Sequence, residues 1–221
     1  MKRAIIPAVA GLLALAAPTF AHHRPSHTGG PGDSSALTAA ANPFVLTFGA
    51  STVVSGRLTG ANNAGQRVTL AEDPFPYDGA FTDVSTTTTA NSGNYAFPRL
   101  VPASNRNYRV TVRGEQTFTG ARVRLRVSLG LSDFTPVRGQ RVRFSGFVSP
   151  KHDGRTVIIQ RRTSTGTWAF VRRTLLRATT GNRSRYSTVL RVFRSGSYRA
   201  RSGTDGDHLT GTSTTRTARV G

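Results

Sequence analysis

Arginine is the residue type whose number and spacing in this chain could do chemistry. The sequence holds 30 Lys and Arg against 10 Asp and Glu, and Lys2 and Lys151 are its only lysines. Two adjacent pairs, Arg161-Arg162 and Arg172-Arg173, flank a turn at 163–167, with Arg183, Arg185, Arg191, Arg194, Arg199 and Arg201 following. A guanidinium is planar, always charged, and grips carboxylate, sulfate or phosphate through paired charge-assisted hydrogen bonds. Arg161, Arg162, Arg172 and Arg173 are therefore the candidate contacts to an anionic ligand. Neighbouring residues on a strand point to opposite faces, so one member of each pair serves a given face. The plain alternative is a solvated surface in an arginine-rich chain.

Two His–carboxylate groups come next. His152-Asp153 lies in Pro150-Lys151-His152-Asp153-Gly154, where Asp-Gly is hairpin-turn chemistry. Asp205-Gly206-Asp207-His208 places two carboxylates two residues apart, a spacing that could share a cation. No Glu follows at the distance a calcium loop needs, and a Gly-Asp turn accounts for the residues, so the expected metal complement is none. His22, His23 and His27 near the N-terminus are read as incidental rather than as a copper or zinc chelate. There is no Gly-x-Ser-x-Gly elbow, no His-Glu-x-x-His and no phosphate loop. No enzymatic activity and no cofactor are expected. Cysteine is absent, which removes disulfides, thiolate catalysis and Cys-type zinc sites. Asn182-Arg183-Ser184 fits the glycosylation pattern, which bears on a surface turn and not on chemistry.

The elements that position these residues are strands. Residues 1–21 read as a secretory signal: Lys2 and Arg3, an apolar run from Ile5 to Ala17, then Thr19-Phe20-Ala21. That run of about 13 residues falls short of the roughly 20 that cross a bilayer. Residues 22–43, rich in Gly, Pro, Ser and His, read as a disordered leader. From Phe44 onward short runs alternate apolar and polar residues between turn signals, with no sustained helical period, as in an all-β sandwich. Arg122–Leu131 keeps apolar residues at 123, 125, 127, 129 and 131. It is read as two strands end to end, closing one domain and opening the next across a stiff join.

The programme repeats. Val54-Ser55-Gly56 matches Phe144-Ser145-Gly146, and Gly65-Gln66-Arg67-Val68 matches Gly154-Arg155-Thr156-Val157. Phe81 answers to Trp168, Tyr95 to Tyr186 and Tyr108 to Tyr198, all at offsets between 87 and 91 residues. A period near 90 is one sandwich domain. The expected division is 44–126 and 127–221, with net charges of +4 and +14. The matched places of Tyr108 and Tyr198 mark them as structural, and Trp168 as packing rather than a sugar platform.

On those motifs each copy resembles the Ig-like β-sandwich domains of bacterial secreted and surface proteins. The first copy is also somewhat similar to carboxypeptidase-regulatory or prealbumin-like modules through Asn91-Ser92-Gly93-Asn94-Tyr95-Ala96-Phe97. The resemblance implies two tandem Ig-like sandwiches, a secreted or cell-envelope location and no catalytic residues. The expected function is a structural or adhesive module. The alternative is a low-specificity binder of wall polymer, acidic glycan or nucleic acid through the arginine-rich second domain.

Overall fold

A computed structural model describes residues 35–203 and 205–221. The signal at 1–21, the leader as far as residue 34, and His22, His23 and His27 lie outside the described residues. Those described are all β: β1 (Leu37–Asn42), β2 (Val45–Thr47), β3 (Val53–Leu58), β4 (Arg67–Pro74), β5 (Thr82–Thr88), β6 (Asn94–Ala96), β7 (Arg106–Val112) and β8 (Glu115–Arg124) come first. Then follow β9 (Arg126–Val127), β10 (Gly130–Leu131), β11 (Gln140–Ser149), β12 (Thr156–Arg162), β13 (Trp168–Leu175), β14 (Arg177–Ala178), β15 (Ser184–Val192), β16 (Gly196–Ser202), β17 (Gly211–Thr212) and β18 (Arg216–Ala218).

They form two tandem β-sandwiches. In the first, the sheet β1-β3-β6 packs on β2-β8-β7-β4-β5, whose edge strand β2 runs parallel to β8. In the second, β10-β11-β15-β14, with β9 also on β11, faces β13-β12-β16-β17, with β18 also on β16. The alternation seen in the sequence becomes the cores. Val54, Leu58, Val68, Leu70, Val110 and Val123 fill the first, and Val142, Phe144, Val148, Val157, Ile159 and Ala200 the second. The cores change over between Val123 and Leu125, two residues before the expected join.

Two expectations need correction. The stretch read as leader enters the fold at its end, because Leu37–Asn42 pairs along its whole length with Val53–Leu58. Strict alternation would put Val171 and Leu175 on one face of β13. A bulge opposite Ile159 and Gln160 breaks the phase, so Val171 packs on the core while Leu175 is exposed.

The repeated Ser-Gly and Tyr anchors have one physical cause. Tyr95 lies opposite Gly56 and passes its ring over that strand, so that its hydroxyl donates to the Thr38 carbonyl on β1. Tyr186 does the same over Gly146, donating to the Ser128 carbonyl at 2.5 Å. A Cβ at Gly56 would stand 2.5 Å from the Tyr95 hydroxyl, and one at Gly146 2.8 Å from that of Tyr186. Glycine is the residue that lets the ring cross. The backbone anchors are thus Tyr95 and Tyr186, while Tyr108 and Tyr198 are buried in the cores.

The two sandwiches are joined by more than the chain. The segment between β16 and β17 reaches the first sandwich, where the Asn105 N–H donates to the Asp207 carbonyl at 2.7 Å. Leu209 donates to the Val123 carbonyl and accepts from the Leu125 N–H, at 2.8 and 3.1 Å. Asn105 adds its side chain, which accepts from the Val123 N–H at 2.8 Å and donates to the Gly206 carbonyl at 2.9 Å.

Candidate anion-binding surface

Strand pairing decides where each arginine points. On the sheet carrying β12, Arg162 is opposite Trp168, Gln160 is opposite both Phe170 and Arg199, and Ile158 is opposite both Arg173 and Arg201. Residues directly opposite share a face, so Arg162, Arg173, Arg199 and Arg201 stand on the outer face with Trp168 and Phe170. The Arg199 guanidinium lies 4.2 Å from the Trp168 ring centroid, and its Nε donates to Gln160 at 2.8 Å. Burial, then the neighbouring Arg201 charge, pull the Arg199 pKa below the ordinary arginine value.

The four candidates divide as strand geometry requires. Arg162 and Arg173 share the outer face. Arg161 turns to the core side, donates to the Ser195 carbonyl at 2.8 Å, and lines an open groove of about 270 Å³ with Arg191, Arg194 and Tyr198. Arg172 lies opposite Ile159 on the same side, at the exposed rim. Trp168 is half-buried, its ring under the Arg199 guanidinium.

The opposite sheet holds a second arginine face that sequence reasoning did not single out. Arg141 lies directly opposite Arg191, and Arg177 directly opposite Arg185. Arg143 is opposite Val189, and Arg183 covers the exposed Phe147 ring at 4.4 Å. Like charges directly opposite each other cost stability, and the carboxylates that could relieve them are engaged elsewhere. Asp133 accepts from the Thr135 N–H and Gln140, each at 2.8 Å. Asp153 accepts from the Ser184 hydroxyl at 2.5 Å and pairs with Lys151 at 3.2 Å. Asp205 and Asp207 contact histidines. Among the described residues the one arginine–carboxylate pair is Arg106–Glu72, at 2.5 Å in the first sandwich. No local sequence signal marks such opposed pairs, because the register joins residues 8 and 50 positions apart.

The two His–carboxylate groups, separate in sequence, meet in space. His152 pairs with Asp205, and His208 with Asp207 at 3.0 Å. Burial, then the hydrogen bond with Asp207, raise the Asp205 pKa. Burial opposes ionisation of Asp207 too, but hydrogen bonds from Asp205 and His208 hold its pKa below the ordinary value. Asp153 takes no part in this group.

No family model and no curated protein matches the chain. Among solved structures, the chain is similar to a tetra-tandem repeat from the extending region of a large adhesion protein, with 16% identity and a TM-score of 0.36. The match covers 85% of this chain and 50% of that one, so the chain spans about half the length of that structure.

Proposed function

We propose that the chain is a non-enzymatic module of exported or cell-envelope proteins, made of two Ig-like sandwiches, whose adhesive grip is the arginine surface of the second. The observation that carries this reading is the mismatch of partners. All four carboxylates of residues 127–221 are engaged without arginine, while Arg141–Arg191 and Arg177–Arg185 face each other across strands. Opposed guanidiniums left without internal counter-ions suit an external polyanion, which relieves their repulsion on binding. Each neutralised anionic group also releases condensed counter-ions, so affinity falls steeply with salt. Few aromatics stand on these faces, so selectivity among acidic glycan, wall polymer and nucleic acid is low.

Titration of the full chain with heparin, a teichoic-acid-like polymer and DNA at low and high salt tests this reading. Binding to all three that weakens steeply with salt is expected. Absent or salt-insensitive binding contradicts it.

A second reading, a spacer that sets distance without gripping, is supported by the join. Asn105 and Leu209 tie the sandwiches by hydrogen bonds on both sides of the chain crossing, as a strut requires. Small-angle scattering is expected to show one fixed separation of the two bodies, and a broad range of separations contradicts the strut.

A further inference from the structure

His152, from the connection between β11 and β12, meets Asp205, Asp207 and His208, from the connection between β16 and β17. Each offers one ligand atom, and these atoms lie within 4.8 Å of one another. The side chains of His152, Asp205 and His208 are 9, 7 and 3% exposed, while that of Asp207 is 39% exposed and opens the group to solvent.

The histidines are oriented from outside the group. His152 Nδ1 lies 2.9 Å from the Pro150 carbonyl, and His208 Nε2 lies 2.8 Å from the Ala103 carbonyl. A ring nitrogen facing a carbonyl carries the proton. The other nitrogens, His152 Nε2 and His208 Nδ1, then turn toward the two carboxylates. Against a carboxylate, each of these nitrogens must either carry a hydrogen or share a cation with it, and a divalent ion can take the hydrogen's place. A carbonyl bonded behind the ring is also the usual support of a metal-bound histidine.

We propose that His152, Asp205, Asp207 and His208 form a binding site for a divalent transition metal of the zinc type. Two imidazoles and two carboxylates supply four nitrogen and oxygen ligands, the tetrahedral complement of zinc, and balance its charge. Ligand bonds of about 2.0–2.2 Å place tetrahedral ligand atoms roughly 3.3–3.5 Å apart. His208 Nδ1 stands 3.0 Å from Asp207 and 3.8 Å from Asp205, on either side of that spacing, while His152 and Asp205 lie closer together than it and must part to admit the ion. Calcium and magnesium suit the set less well, since they take oxygen ligands in larger number. The ion braces the segment that carries Gly206, Asp207 and Leu209 to the first sandwich, so its presence tightens the join. This inference does not depend on the arginine surface.

The test is zinc chloride titrated into the chelator-treated full chain, followed by calorimetry and amide exchange. One zinc per chain is expected at this site, with slower exchange at the Asn105 N–H that donates to Asp207. Asp207→Asn, at the exposed ligand, and His152→Gln should each weaken binding at least about tenfold. A variant with His22, His23 and His27 replaced by alanine should keep the site. The proposal is overturned by no binding at millimolar zinc, which leaves the histidines simply hydrogen-bonded to the aspartates. It is also overturned if binding survives Asp207→Asn unchanged, or is lost with the three N-terminal histidines. Should His152→Gln fail to fold, Asp207→Asn decides.

Discussion

Gly146→Ala is the sharpest perturbation of the fold. The added Cβ would stand 2.8 Å from the Tyr186 hydroxyl and closer still to the Ser128 carbonyl. Ordinary contact needs about 3.4 Å or more, and neither neighbour is the loose end of a flexible chain. One is backbone, and the other is the tip of a tyrosine only 2% exposed. Overpacking of this kind costs about 1–3 kcal/mol. The displaced hydroxyl loses its bond to Ser128, for about 1 kcal/mol more. The expected loss is therefore about 2–4 kcal/mol from the second sandwich. In urea this lowers that sandwich's midpoint by about 1–2 M, with an m-value in the usual range for its size. Gly203→Ala is the control, because a Cβ there meets nothing within 4 Å. Tyr186→Phe should cost about 1–3 kcal/mol alone by leaving the Ser128 carbonyl unsatisfied, and much less on top of Gly146→Ala, since the bond is already broken. A Gly146→Ala protein within about 0.5 kcal/mol of the parent would refute this reasoning, as would full additivity with Tyr186→Phe.

Further outcomes follow from the same geometry. Burial raises the pKa of Tyr95 and of Tyr108 to about 12, and that of Tyr186 further. A raised folded-state pKa keeps its stabilising effect below the unfolded value and loses it as pH rises through the folded one. Stability should therefore fall from about pH 10 toward pH 12. Absorbance titration should show these phenols ionising together with unfolding, and gradual ionisation near pH 10 in an intact fold would contradict it. Arg141→Glu places a carboxylate opposite Arg191 and should raise stability by about 0.5 kcal/mol at low salt, an effect that thermal melts should show vanishing at high salt. Asn105→Ala removes the acceptor of the buried Val123 N–H and the donor to Gly206. It should cost about 2–3 kcal/mol and broaden the range of sandwich separations seen by scattering.

Where local alternation carried the information, the sequence was readable. Val142, Phe144 and Val148, or Val157 and Ile159, announce a buried face because apolar residues recur at every second position of their strands. The 90-residue repeat was visible through Ser-Gly and Tyr. Its cause was not, because the tyrosine, the glycine and the carbonyl it reaches sit on three strands. Leu37–Asn42 escaped notice for a different reason. Three of its six residues are alanines, which have weak strand preference and show no alternation, and pairing with β3 makes it a strand. The bulge beside Val171 shifted the phase of β13 by one residue, which no period-two reading anticipates. The arginine surface was half legible. Composition located the charge in residues 127–221 and parity divided the adjacent pairs correctly between faces. The opposed pairs Arg141–Arg191 and Arg177–Arg185 depend on register between distant segments. The meeting of His152 with Asp205, 53 residues on, depends on two loops converging at the join.

The most direct test of the functional account compares the full chain with a variant carrying Arg141→Gln, Arg177→Gln, Arg185→Gln and Arg191→Gln. Both are titrated with heparin and with DNA over a range of salt. The account predicts a linear fall of log affinity with log salt for the parent. The variant should bind more weakly, with its DNA slope reduced by up to about 0.9 for each phosphate contact removed. Equal affinity and equal slope in the two proteins would show that the opposed arginines are solvated surface and grip nothing.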